Sequence, residues 1–144
     1  MNAIRQQKNL KPFQWALALT GIGLLFWWPL SHFFYPLWYH RLLGFANPGQ
    51  YIHNPFIIVI GFGGLFPVLM LLYSAIDPIR NRDMVLILSL GSFLGGVIYV
   101  YLISNKLFPI NEVLNVAMLF TAAFLLLFSY FRINKFLKET NDGH

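Results

Sequence analysis

Four apolar segments, each about as long as a bilayer is thick, constrain the fold of this chain more than any other feature. They cover residues of about 13–34, 55–76, 84–105 and 113–131, and none has a Lys, Arg, Asp or Glu in its interior. A helix needs about 20 apolar residues to cross a hydrocarbon core. Backbone groups in lipid have no water partners, so such segments form helices or a closed barrel. Because the runs are continuously apolar and do not alternate, they predict an all-α, antiparallel bundle of four transmembrane helices.

The composition agrees with lipid as the solvent. Of the 144 residues, 58% are hydrophobic and 10% are charged, whereas a soluble domain averages about 25% charged residues. The absence of cysteine excludes disulfides and thiolate metal sites. The net charge of +5 comes from basic residues that stand singly or in small groups beside the apolar segments. This distribution indicates contacts with lipid headgroups and no nucleic-acid partner.

The basic residues are divided unequally between the two sides that four spans create. Both termini and the loop at residues 77–83 share one side, and Arg41 and Lys106 lie on the other. Positive residues are retained in the cytoplasm. We therefore expect both termini to be cytoplasmic, and the whole chain to be one domain in the inner membrane of a bacterium. The basic residues on the side of the termini are Arg5, Lys8, Lys11, Arg80, Arg82, Arg132, Lys135 and Lys138.

The loop between the second and third segments gathers four charges into seven residues. Asp77 precedes a proline, which disfavours the helical conformation and ends the second helix. We expect Asp83 to cap the third helix. Arg80 and Arg82 are predicted to anchor the turn at an anionic leaflet, at about 1 kcal/mol each. A docking site for an acidic partner is the alternative.

Prolines and aromatic residues crowd the connection between the first and second segments. We expect the first helix to kink or end near Pro29. A short amphipathic segment at about residues 36–43 would then lie in the outer membrane interface, where aromatic rings are favoured. The connection thus forms an aromatic interfacial segment after helix 1.

Three histidines lie in this same connection, at His32, His40 and His53. Their spacings of eight and thirteen residues match no compact metal-binding motif. We interpret them as interfacial histidines, with ligand binding as the alternative. A groove between the rings, with Trp38 on its wall, would then admit a quinone or a lipid.

Small residues predict which helix faces meet. The second segment carries Gly61 and Gly64, and the third carries Gly91, Gly95 and Gly96. Small residues four positions apart let two helix backbones approach closely in lipid. Since a short turn joins the two segments, we expect their glycines to meet within one chain. A seam between two copies of the chain is the alternative.

The fourth segment begins with polar residues. Asn115 is expected to hydrogen-bond another helix, which adds about 0.6–2 kcal/mol in lipid. Glu112 is interpreted as a solvated helix cap, with an ion pair to Arg41 or Lys106, or a titrating functional group, as alternatives. The segments lack the embedded ionisable residue on which proton-coupled exporters depend. The sequence therefore argues against a transporter.

Two stretches carry a resemblance to a known family. They are "WYHRLLGFANP", with its Arg41–Gly44 core, and "LLYSAIDPIRNRDMVLILSLGSFLGG", with an Asp-Pro-basic turn before a span rich in small residues. Over residues 29–131 the chain resembles the DoxX-like small four-helix bacterial membrane proteins. The resemblance implies a four-helix antiparallel bundle and, for the members that give the group its name, a link to quinone-coupled sulfur oxidation. It assigns no catalytic residue to this chain.

The sequence thus predicts a small polytopic inner-membrane protein without an evident catalytic site or cofactor. It would be a structural or accessory component that packs with itself or with a larger membrane complex. The alternative is a membrane subunit of a quinone-coupled oxidoreductase. That protein would bind quinone or lipid in the aromatic groove near His32, His40, Glu112 and Asn115.

Overall fold

The computed structural model describes residues 3–47, 49 and 55–141, and all regular structure within these ranges is helical. The all-α prediction is confirmed for this part of the chain. The elements are α1 (Ala3–Leu25), a π-helical turn (Phe26–Leu30), α2 (Ser31–Phe34), α3 (Pro36–Leu42), α4 (Pro55–Ile76), α5 (Arg82–Ser104), a 3-10 turn (Ile110–Glu112) and α6 (Val113–Asn141).

Within the described residues, three stretches of helix are long and apolar enough to cross a membrane. They are Leu10–Phe34, Arg82–Ser104 and Ile110–Glu139. A shorter apolar stretch, Gly61–Ile76, lies in α4. The structure therefore fits a membrane-embedded protein, and a fourth span through α4 stays a prediction.

The helices expose apolar side chains and turn their hydroxyl groups inward. Phe66, Ile87 and Phe124 are exposed, whereas Ser74 and Ser89 are buried. Each buried hydroxyl donates to a backbone carbonyl at 2.8 Å, and that of Ser89 reaches across from α5 to α6. Soluble proteins do not expose apolar surface on this scale. Such a surface fits a protein whose helices are embedded in a membrane.

The helices pack chiefly as two pairs, α1 with α4 and α5 with α6. The contact between α4 and α5 is much smaller, although a short turn joins them. One cluster of buried apolar side chains nevertheless connects all four helices. Its members are Leu17, Leu71, Ala75, Val85 and Leu126.

Gly61 and Gly64 of α4 lie against the first apolar helical stretch, Leu10–Phe34. A Cβ atom placed on Gly61 would lie 3.1 Å from the Cβ of His32. A Cβ atom on Gly64 would lie 3.3 Å from Cδ1 of Trp28. The absence of side chains at these positions lets α4 approach the bulky rings of its neighbour.

The glycines of α5 differ from one another. A Cβ on Gly96 would lie 2.8 Å from Cε1 of Phe120, and one on Gly95 would lie 3.5 Å from Leu119. Gly91 faces open space, with nothing within 4 Å of its Cβ position. This differs from the predicted glycine-to-glycine contact between α4 and α5. Side chains of the π-helical turn and α2 occupy the glycine surface of α4 instead, and side chains of α6 occupy that of α5.

The turn between α4 and α5 begins as predicted, since α4 ends directly before Asp77. The Asp77 carboxylate accepts a hydrogen bond of 3.0 Å from the backbone N–H of Arg80. The cap position of α5 is Asn81, and no side chain there bonds the helix end. The predicted cap by Asp83 is therefore wrong, because the helix begins at Arg82, two residues earlier than the predicted segment. Asp83 lies in the first turn, 3.6 Å from the Arg82 Nε.

Candidate functional site

The first helical stretch does not end at Pro29. The disturbance predicted there is a π-helical turn, after which the helix runs on through α2 to Phe34. A proline removes one backbone hydrogen bond and its ring displaces the preceding turn. Turns of this kind recur at functional sites in other helices. Here the turn carries Trp27 and Trp28, which both contact the site described below.

The segment after this stretch forms α3, which ends in a Schellman motif. Gly44 has a positive φ of 84° and its N–H donates to the carbonyl of Arg41. The N–H of Phe45 donates to the carbonyl of His40 at 3.0 Å. The rings of His40 and Phe45 complete the motif with an edge-on contact at 5.4 Å. The glycine thus ends α3 and turns the chain that follows it, close to Asn111 of the 3-10 turn.

One side of α3 is buried in the protein. Tyr39, His40 and Leu43 are almost fully enclosed, whereas Trp38 is 57% exposed. The expected amphipathic segment is therefore present, but its inner side covers polar residues of α6 and the 3-10 turn. His40 is 3% exposed, so its ring lies in the protein interior and not at the surface.

Asn115 of α6 is the centre of a hydrogen-bonded group that also includes the π-helical turn, α3 and the 3-10 turn. Its Oδ1 accepts from Trp27 Nε1 at 2.6 Å and from the Tyr39 hydroxyl at 3.2 Å. Its Nδ2 donates to Oε2 of Glu112 at 2.6 Å. The prediction that Asn115 bonds another helix is confirmed. We call Trp27, His32, Tyr39, His40, Glu112 and Asn115 the Asn115 cluster.

Glu112 is 3% exposed, so the interpretation as a solvated cap is wrong. The 3-10 turn places its carboxyl group beneath the Asn115 amide, and α3 covers both. None of the ion pairs among the described residues joins Glu112 to Arg41 or Lys106. The Asn115 amide is thus the polar partner of this buried carboxyl group.

The hydroxyl of Tyr39 remains a hydrogen-bond donor at neutral pH. Burial raises the pKa of Tyr39 above its usual range, although the hydrogen bond with Asn115 acts in the opposite direction. A neutral phenol suits this position because the Asn115 oxygen accepts a hydrogen bond and cannot donate one. Tyr39 therefore fixes α3 to α6.

The two histidines of the cluster are held by their own helices. Nδ1 of His32 lies 2.8 Å from the carbonyl of Trp28, and Nδ1 of His40 lies 2.8 Å from that of Pro36. A carbonyl oxygen only accepts, so each Nδ1 carries the hydrogen. The two rings meet edge-on at 5.5 Å, and His32 also packs on Tyr39 at 4.8 Å.

Metal binding was one alternative for these histidines. Among the described residues, no three His, Asp or Glu side chains converge as metal ligands. His53 lies outside the described residues. His32 and His40 belong to a hydrogen-bonded aromatic cluster.

Aromatic rings continue from the cluster towards α5. Trp28 packs edge-on to Tyr99 at 6.2 Å, and Tyr99 packs on Phe108 at 5.6 Å. Within the described part of the chain, Nε1 of Trp28 is buried and has no hydrogen-bond acceptor. Leaving a buried donor unpaired costs about 1–3 kcal/mol. An acceptor supplied by a bound molecule would remove that cost.

The structure brings four of the predicted ligand-binding residues together: His32, His40, Glu112 and Asn115. Trp38 does not join them because it lies on the exposed side of α3. Sequence reasoning did not single out Trp27 or Tyr39, which hold the cluster together. The only signal for them was the density of aromatic residues around the two prolines.

Comparison of the chain with protein-family models, with curated proteins and with solved structures finds no match.

Proposed function

We propose that this chain is a polytopic protein of the bacterial inner membrane, with four spans and both termini in the cytoplasm. The observation that carries this proposal is the apolar surface of the helices, with hydroxyl and amide groups turned inward. The length of α6 supports the same placement. Twenty residues separate Glu112 from Arg132, which corresponds to roughly 30 Å of helix, the thickness of a hydrocarbon core.

Within that membrane, we propose a structural or accessory role in an assembly of copies of itself or of other subunits. The Asn115 cluster supports a structural role, because its central amide uses both its oxygen and its nitrogen in bonds within the protein. Satisfied buried networks of this kind make a packing arrangement rigid and unique. The proposal includes kinship with the DoxX-like four-helix proteins.

Reporter fusions test the threading. A reporter that fluoresces only in the cytoplasm is placed at each terminus, and one that is active only outside is inserted in the connection at residues 105–109. We expect signal from all three positions. Termini that report from opposite faces would contradict the four-span arrangement.

Native purification tests the accessory role. The full chain is extracted in mild detergent and its mass is measured without denaturation. We expect a homo-oligomer or a co-purifying membrane subunit. A bare monomer that carries no other molecule would contradict both this role and the quinone-binding alternative.

A quinone-binding subunit of an oxidoreductase is the second candidate, and one observation favours it. Nε1 of Trp28 is a buried donor without an acceptor among the described residues, beside the ring of Tyr99. Quinone carbonyl oxygens accept hydrogen bonds, and the flat ring between them packs against aromatic side chains. Two members of the Asn115 cluster, Trp27 and His32, lie close to Trp28 in the chain, in the π-helical turn and in α2.

A matched pair of tryptophan variants tests this candidate. The chain is reconstituted in nanodiscs with ubiquinone, and the bound quinone is extracted and quantified. Trp28→Phe keeps an aromatic ring but removes the donor, so we expect retention to fall by about fivefold. Trp15→Phe, at an exposed position of α1, is the control and should retain quinone as the wild type does. Equal retention by both variants would remove the candidate.

A further inference from the structure

A groove of about 830 Å³ runs between α1 and α6. We call it the α1–α6 groove. Its volume is within the range of about 300–1,000 Å³ that is typical of small-molecule sites. The residues that matter for its chemistry are Ala16, Leu19, Leu125, Phe128, Arg132 and Lys135.

The groove is apolar along its length and basic at one end. On α6, the lining residues Leu125, Phe128, Arg132 and Lys135 follow one another at intervals of three or four, so they share one helix face. Leu125 lies roughly 10 Å along the helix axis from Arg132. This lining suits a molecule with a hydrocarbon chain and an anionic head.

The basic end lies at the depth of lipid phosphates. Arg132 is about one hydrocarbon thickness along α6 from Glu112. Its guanidinium lies 6.0 Å from the centre of the Phe128 ring, so the positive charge lies next to the apolar lining of the groove. None of the ion pairs among the described residues includes Arg132.

One acidic residue also lines the groove. Glu139 lies 3.8 Å from the Lys135 ammonium, and the two side chains are 65% and 67% exposed. A pair so exposed is largely screened by water. Glu139 lies roughly 10 Å beyond Arg132 along the helix, on the wet side of the basic end. The net charge that faces the membrane is therefore positive.

We propose that the α1–α6 groove binds an anionic phospholipid. One acyl chain lies along Ala16, Leu19 and Leu125, and the phosphate lies against Arg132 and Lys135. The charge complementarity between the basic end and a phosphate distinguishes this occupant from a zwitterionic lipid or an apolar helix. The proposal requires that α1 and α6 lie in a bilayer, but it is independent of the Asn115 cluster and of quinone binding.

Lipid retention tests whether the basic end of the groove selects an anionic headgroup. The full chain is reconstituted in nanodiscs with equal amounts of phosphatidylglycerol and phosphatidylcholine, released into the gas phase, and weighed with its retained lipids. We expect selective retention of phosphatidylglycerol, reduced about fivefold by Arg132→Gln. Lys138→Gln removes the same charge from the same helix outside the groove and should leave retention unchanged. Equal retention of both lipids, or an equal loss in both variants, would overturn the proposal.

A bulky substitution tests whether the apolar part of the groove holds the acyl chain. Ala16→Trp fills the apolar floor without changing any charge, so we expect it to abolish selective retention. Leu94→Trp places the same ring on an exposed face of α5 and should retain phosphatidylglycerol normally. Helix content from circular dichroism confirms that both variants fold. If Ala16→Trp instead dissociates a dimer and leaves lipid retention intact, the groove holds a second copy of the chain and the lipid proposal is wrong.

Discussion

The indole Nε1 of Trp27 donates a hydrogen bond of 2.6 Å to Oδ1 of Asn115, joining residues 88 positions apart in the chain. The same amide also bonds Tyr39 and Glu112. Asn115→Leu removes all three bonds and leaves their partners unpaired in the interior. We expect it to lower the free energy of unfolding by about 2–3 kcal/mol. Thermal or denaturant unfolding in detergent measures this change.

The control for this prediction is Asn134→Leu, which removes an amide from the same helix outside the cluster. We expect it to change the stability by no more than about 0.5 kcal/mol. A double-mutant cycle with Trp27→Phe sharpens the test. The two substitutions should be non-additive by more than about 0.5 kcal/mol, since they share one bond. Additive costs would show that the 2.6 Å contact does not contribute to stability.

The apolar character of the spans and the break at Asp77 were predictable because each depends on local sequence alone. The bond made by Asn115 was also predictable, since an amide that enters lipid must find a partner. The burial of Glu112 was not predictable. It results from the packing of α3 against the start of α6, where Tyr39 bonds Asn115 and packs on His32, and these contacts join distant parts of the chain.

Which helices pack against each other could not be predicted from the sequence for a similar reason. Small residues at Gly95 and Gly96 mark a surface of close approach, but they do not say which helix will approach it. That choice is made by the side chains of α6, whose Leu119 and Phe120 fill the space above them. A short connecting turn does not decide it, as the small contact between α4 and α5 shows.

Two glycines of α5 give opposite predictions for the same substitution. Gly96→Ala places a methyl group 2.8 Å from Phe120, whose ring also packs on Phe93. We expect a loss of about 1 kcal/mol in the free energy of unfolding, since overpacking outweighs the better helix propensity of alanine. Gly91→Ala meets nothing within 4 Å. It should gain about 0.5–1 kcal/mol. Both changes in the free energy of unfolding are measured by thermal or denaturant unfolding in detergent.

A gain of stability in Gly96→Ala and a loss in Gly91→Ala would contradict the packing of α5 against α6. A loss of stability in Gly91→Ala alone, together with a smaller oligomer on size-exclusion chromatography, would instead show that Gly91 faces a second copy of the chain. That result would support the seam between copies that the glycine spacing left open.

Two aspartates in the turn between α4 and α5 are expected to differ in importance. Asp77→Ala removes the acceptor for the Arg80 N–H. We expect it to cost about 1 kcal/mol. Asp83→Ala removes an exposed carboxylate that makes no cap bond, and it should cost less than about 0.5 kcal/mol. The measurement is the unfolding midpoint of each variant in the same detergent. A larger loss in Asp83→Ala would restore its predicted role as the helix cap.

The raised pKa of Tyr39 makes a prediction about alkaline stability. Burial favours the neutral phenol in the folded state, whereas the unfolded phenol ionises near a pH of about 10. The stabilisation by Tyr39 is therefore fully present below that pH and is lost as the pH rises above it. We expect the free energy of unfolding to fall above a pH of about 10, and to fall less steeply in Tyr39→Phe. Trp27→Phe deletes a bond to the same Asn115 without a titrating group, so its pH profile should run parallel to that of the wild type. A Tyr39→Phe profile that is also parallel would show that the phenol is as well solvated in the folded chain as in the unfolded one.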